Sequence, residues 1–111
     1  MNTIDDIRKY IGGDRENAPV NQESVEHLQY LIDNCKKYRL PIPEIFPWYG
    51  GDGVQAEWEF TNGWYIEIDS SSKGITGLLV KDRDYSNTSS FEFKDIKNAF
   101  MLVKIFLEEI G

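Results

Sequence analysis

Between Arg39 and Lys73 the chain has no lysine and no arginine. The same stretch carries Glu44, Asp52, Glu57, Glu59, Glu67 and Asp69, in a protein of 111 residues with a net charge of −7. Other scarcities are as restrictive. The single cysteine, Cys35, excludes an internal disulfide, and the single histidine, His27, leaves little material for a histidine-based metal site or general base. No apolar run approaches the roughly 20 residues that span a bilayer. The start, Met1-Asn-Thr-Ile-Asp-Asp6, lacks the basic and apolar regions of a secretory signal, so the expected location is the cytoplasm. The acidic balance argues against direct binding of nucleic acid, which draws its affinity from Lys and Arg on phosphates, and against anionic membranes.

Catalytic signatures are missing too. There is no G-x-S-x-G, H-E-x-x-H, P-loop or G-x-G-x-x-G. Gly50-Gly-Asp-Gly53 lacks the basic residue and following helix of a phosphate cradle, and it reads as the tight entry to a strand. No catalytic residue, metal ligand or cofactor is therefore assigned.

What is present suffices for a core. A hydrophobic content of 41%, with 14% aromatics, argues against disorder and for one domain over 1–111. Ile4, Ile7, Tyr10 and Ile11 recur at helical spacing, which predicts a short helix over 3–11 ended by Gly12-Gly13. A second helix is predicted over 22–38, capped by Asn21 or Ser24, with Val25, Leu28, Leu31, Ile32 and Cys35 as its apolar stripe. Cys35 on that stripe reads as a small core residue, and His27 lies off it. The prolines of Leu40-Pro-Ile-Pro-Glu-Ile-Phe-Pro47 stop the helix and predict a stiff, extended connector.

Period-2 alternation then predicts strands over 54–60 and 64–69, with Val54, Ala56, Trp58, Phe60, Trp64, Ile66 and Ile68 on one face. A third strand is expected over 75–82, a polar loop over 83–88 and a short fourth strand over 89–93. The last helix runs from Lys94 or Asp95 to about Ile110. Met101, Leu102 and Ile105 widen its apolar stripe nearly all the way round, so it is either buried on several sides or part of an interface. The expected fold is α+β: two N-terminal helices, a three- to four-stranded antiparallel meander, and a C-terminal helix packed on the sheet.

The turn Thr61-Asn62-Gly63 decides the register. A two-residue loop would set the apolar face of one strand against the acidic face of the other. A three-residue loop pairs Trp58 with Ile66 and Ala56 with Ile68, with Gly63 in the left-handed position that such a loop requires. Burial selects the second, because a one-residue slip sends every side chain to the wrong face. Glu59 then lies opposite Tyr65, Glu57 opposite Glu67, and Gln55 opposite Asp69. The result is an acidic ribbon of Glu57, Glu59, Glu67 and Asp69 with Tyr65 as aromatic anchor; Trp48, Tyr49 and Asp52 are the neighbouring candidates.

The run Leu40-Pro-Ile-Pro43, Pro47, Gly50-Gly51 and Gly53-Val-Gln-Ala-Glu-Trp58 resembles a pattern in small, uncharacterised bacterial and phage-associated proteins. In those, a proline-rich strap enters a glycine turn, then a Val-Gln-x-Glu-Trp strand and an acidic-aliphatic strand. The resemblance implies the hairpin and no activity. Trp48-Tyr49 stands where simpler polar residues are usual, and Asp52 interrupts the Gly-Gly-Val run.

Three functional expectations follow. The first is a non-enzymatic acidic protein that masks a basic surface of a macromolecular partner, as immunity proteins, antitoxins and phage inhibitors do; the likeness to those rests on size and charge alone. The second is a small ligand- or divalent-metal-binding domain, or an enzyme, that uses the hairpin carboxylates. The third is a structural subunit that forms homo-oligomers through the C-terminal helix.

Overall fold

The computed structural model describes residues 20–47, 52–81 and 84–110. The helix expected over 3–11 and the Trp48-Tyr49 pair lie outside the described residues. Helix α1 (Gln22–Lys37) begins as expected, with the Asn21 side chain accepting a hydrogen bond from the Ser24 amide at 2.8 Å. Glu23 occupies its first turn and Lys36 and Lys37 its last, each in the sense the helix dipole favours. It closes at Arg39, which takes a left-handed φ of 57° and lets the Leu40 amide reach the Cys35 carbonyl at 2.8 Å.

Five strands follow: β1 (Glu44–Pro47), β2 (Val54–Glu59), β3 (Tyr65–Ser71), β4 (Gly74–Lys81) and β5 (Asp84–Phe93). All neighbours are antiparallel and the spatial order equals the chain order, so the sheet is a meander. The expected count of three or four strands is corrected at both edges. Residues 44–47, read as part of the connector, hydrogen-bond to β2 with Ile45 opposite Ala56. A strand ending in proline is tolerated there because an edge leaves one row of amides unpaired in any case. The loop expected over 83–88 belongs largely to β5, which starts at Asp84 across a register shift at Val80/Lys81. Its Ser-Asn-Thr-Ser-Ser stretch shows no apolar alternation because these residues are exposed, so nothing selects for a buried face.

The β2–β3 turn has the three-residue form. The Phe60 amide donates to the Trp64 carbonyl at 3.0 Å, Gly63 takes φ 91°, and Trp58 and Ala56 lie opposite Ile66 and Ile68. Helix α2 (Ile96–Ile110) is capped by Asp95, whose carboxylate accepts from the Asn98 amide at 2.9 Å. Both helices cover one face of the sheet, α1 over β2 and β3 and α2 over β4 and β5, and they touch each other. Tyr30 in the middle of α1 and Tyr38 just past its end both pack on the Phe100 ring of α2. The core between these layers holds Leu28, Leu31, Trp58, Ile68, Val103 and Leu107, among others. Helix α2 is buried on one side only: Ile96, Ala99, Phe100, Val103 and Leu107 face inward, while Met101 and Ile105 are 62% and 53% exposed. Among the described residues no helix is long and apolar enough to cross a membrane.

Candidate functional site

Alternation along the strands leaves a second sheet face, turned away from both helices. Three rows of residues cross it. The first runs Glu44, Glu57, Glu67, Leu78, Ser90; the second runs Phe46, Gln55, Asp69, Thr76, Glu92; the third runs Glu59, Tyr65, Val80, Thr88. Six carboxylates and no lysine or arginine stand in these rows. The ribbon expected from the hairpin is therefore present in its register, with Glu57, Glu59, Glu67, Asp69 and Tyr65 brought together. It is also wider than expected. Glu44 and Glu92 join it from the two edge strands: Glu44 from the stretch expected as a connector, and Glu92 from the short strand expected over 89–93, whose register the hairpin does not set. The period-2 pattern of Glu44-Ile-Phe-Pro47 was the available signal for the first; Glu92 lies between Phe91 and Phe93, the signal for the second.

The face is not flat. Glu67, Asp69, Thr76, Leu78, Ser90 and Glu92 line an open groove of about 450 Å³. The groove is lined by β3, β4 and β5, so it extends past the β2–β3 hairpin that carries the expected ribbon.

A polar network ties the centre of the face together. Glu67 Oε1 accepts from the Tyr65 hydroxyl at 2.6 Å and from Gln55 Nε2 at 2.9 Å. The same Gln55 nitrogen also donates to Glu57. Gln55 therefore bridges two glutamates that sit directly opposite each other, and it offsets part of their repulsion. Burial, the hydrogen bond to Glu67 and the nearby glutamates all raise the pKa of the Tyr65 phenol, so it acts as a donor. Asp69 is the least satisfied member. Its Oδ1 is buried and has no hydrogen-bond partner. Burial first, then Glu67 and Glu57, pushes its pKa up to about 8, so it keeps its proton at neutral pH.

Asp52 is placed elsewhere. Its carboxylate accepts from the Ser72 amide at 3.0 Å and its carbonyl accepts from the Asn21 amide at 2.8 Å. It joins the start of α1 to the β3–β4 turn, beyond the end of the acidic rows. The Ser72 hydrogen bond holds its pKa below the usual carboxylate range.

Two further groups have chemistry of their own. His27 Nδ1 lies 2.7 Å from Ser70 Oγ, and its Nε2 lies 3.7 Å from Glu23. A carboxylate, imidazole and hydroxyl in line suggest an activated nucleophile. Ser70 is 0% exposed, however, and its hydroxyl donates to the equally buried Ser24 at 3.3 Å. No substrate reaches it, so the line anchors α1 to β3. Cys35 is fully buried, and burial raises its thiol pKa to about 11, which leaves it inert. Among the described residues no group of three or more His, Cys, Asp or Glu side chains is arranged to hold a metal ion. Comparison with known proteins finds no family model, curated protein or solved structure that matches this chain.

Proposed function

We propose that the chain is a small, non-enzymatic acidic binding protein whose outer sheet face masks a basic surface of a macromolecular partner. The observation that carries this reading is the composition of that face: five glutamates and the protonated Asp69 in three rows across five strands, without one cation. Folding alone is served better by mixed charge, since like charges opposite each other destabilise a ladder by roughly 0.2–1 kcal/mol per pair. A field of one sign is what a partner of opposite sign meets at long range and in register. Tyr65 and the half-buried Phe46 give it aromatic contacts of the kind that anchor interfaces. Immunity proteins, antitoxins and phage-encoded inhibitors act in this manner, and the analogy extends to size and charge only.

The test is affinity capture from cell extract at low salt, with wild type and the Glu57→Lys/Glu67→Lys variant immobilised in parallel. The captured protein is then purified and titrated against both. A basic protein retained by wild type, released by salt and bound at least about 100-fold more weakly by the variant is the expected result. Equal affinity for both at low salt would sink the proposal.

A further inference from the structure

The two helices differ in the charges of their terminal turns, although α2 carries the Asp95 carboxylate as its N-cap, on the favourable side of its dipole. Helix α1 carries its acid in the first turn and its bases in the last, whereas α2 has no acid in the first turn and no base in the last. Instead Lys97 sits at its positive end and Glu108 and Glu109 at its negative end, each on the unfavourable side. Steps of four residues place Lys97, Met101, Ile105 and Glu109 along one exposed ridge. The ridge reads cation, apolar, apolar, anion. Among the described residues neither Lys97 nor Glu109 has an ion-pair partner, while Lys104 and Glu108 beside them pair within the helix at 2.6 Å. On one flank Tyr38 is 46% exposed and stacks on Phe100, with Lys104 over its ring.

That order is self-complementary in one orientation. When two such ridges meet antiparallel about a two-fold axis that passes between Met101 and Ile105, Met101 faces Ile105 of the second copy and Lys97 faces Glu109. A parallel pairing sets lysine on lysine and glutamate on glutamate. We propose that the chain forms a homodimer through this ridge, with the two α2 helices antiparallel. The intermolecular pairs account both for large apolar side chains left in water and for charges set against their own helix dipole. The contact is short, so the dimer is weak and sensitive to salt. Because α2 lies on the helical side of the sheet, the dimer leaves both acidic faces uncovered and turned outward, so one dimer presents two of them.

Sedimentation equilibrium at low ionic strength tests this with charge reversals. Lys97→Glu alone and Glu109→Lys alone are each expected to weaken the dimer about tenfold, and the double variant to restore it to within about threefold of wild type. Both reversals improve the match of charge to helix dipole, so a lost dimer is not a lost helix. Met101→Glu with Ile105→Glu is expected to leave only monomer, with an unchanged circular dichroism spectrum. The proposal is overturned by a wild type that stays monomeric up to about 1 mM, an affinity of no more than about 4 kcal/mol. It is equally overturned by single reversals without effect, or by a double variant that fails to recover. None of these measurements involves the sheet face, so the acidic-binder reading stands or falls separately.

Discussion

The two faces of one sheet follow opposite rules here, although their residues alternate along the same strands. On the helical face, Ala56, Ile66, Ile68, Ile75 and Leu79 meet α1 and α2, and each is buried. On the other face, Glu44, Glu57 and Glu67 stand in a row, and Asp69 keeps a buried oxygen without a partner. The first face lowers the free energy of the fold with nearly every residue. The second raises it at several. Features that cost stability and serve no packing role mark a surface shaped by something other than folding. The sharpest way to test that contrast is to alter each face in turn and read the sign of the change.

The largest effect is expected on the helical face. Ile68 is buried and lies between Ala56 on β2 and Gly77 on β4. Both neighbours are small, so the Ile68 side chain fills space that they leave. A Cβ on Gly77 would come within 3.2 Å of Ile68 Cδ1 and 2.8 Å of the Phe93 ring, which shows how tightly that space is closed. Ile68→Ala removes the filler where the backbone cannot collapse, and a loss of about 3–4 kcal/mol is expected in urea unfolding. A loss below about 1 kcal/mol would mean that the helical face is loosely packed and the contrast with the outer face overdrawn.

Legibility in the sequence divides along the same line. Where burial acts on alternate residues, the pattern is readable: the three-residue turn at Thr61-Asn62-Gly63, the pairing of Trp58 with Ile66, and the inert position of Cys35 all follow from it. Where burial acts on neither face or only one edge residue, it is not. Strand β5 from Ser86 to Ser90 is polar and exposed, and Glu44-Ile-Phe-Pro47 has a single fully buried residue, Ile45. The β1 edge and the first half of β5 therefore read as connections, which leaves Glu44 outside the expected ribbon; Glu92 lies in the strand expected over 89–93, but the hairpin register does not say which face it joins. The groove was out of reach for a related reason, since it is lined by β3, β4 and β5 together and by no single pair of strands. The His27–Ser70 hydrogen bond joins residues 43 apart in the chain, and nothing local to either announces it.

On the outer face the sign of the change should reverse. The raised pKa of Asp69 means that the folded protein holds a proton which the unfolded chain releases near pH 4. Its contribution is fully present below about pH 4, where both states are protonated, and it is lost as pH rises through about 8. Wild type should therefore melt at progressively lower temperature across that window. Asp69→Asn cannot ionise and can donate from its amide. It should flatten the dependence and gain about 1–2 kcal/mol at the alkaline end, allowing for partial exposure of the site. Melting curves from pH 4 to 9 for the two proteins check this, and parallel curves would show that Asp69 is better solvated than its surroundings indicate.

The smallest effect is the most discriminating. Glu57 has a glutamate directly opposite on both sides, Glu44 on β1 and Glu67 on β3. Glu57→Gln removes both repulsions, and its amide oxygen can still accept from Gln55. The variant should be more stable than wild type by roughly 0.2–1 kcal/mol at low salt. The gain should shrink as added salt screens the wild-type charges over about 10 Å at 0.1 M. Destabilisation by the same substitution would mean that the row of glutamates supports the fold, through Gln55, more than it opposes it. The two faces would then follow one rule, and the acidic face would need no partner to explain its charge. Stabilisation together with weaker capture of a basic partner would instead separate the two roles within one residue, since a side chain that the fold is better without is retained for what it meets outside.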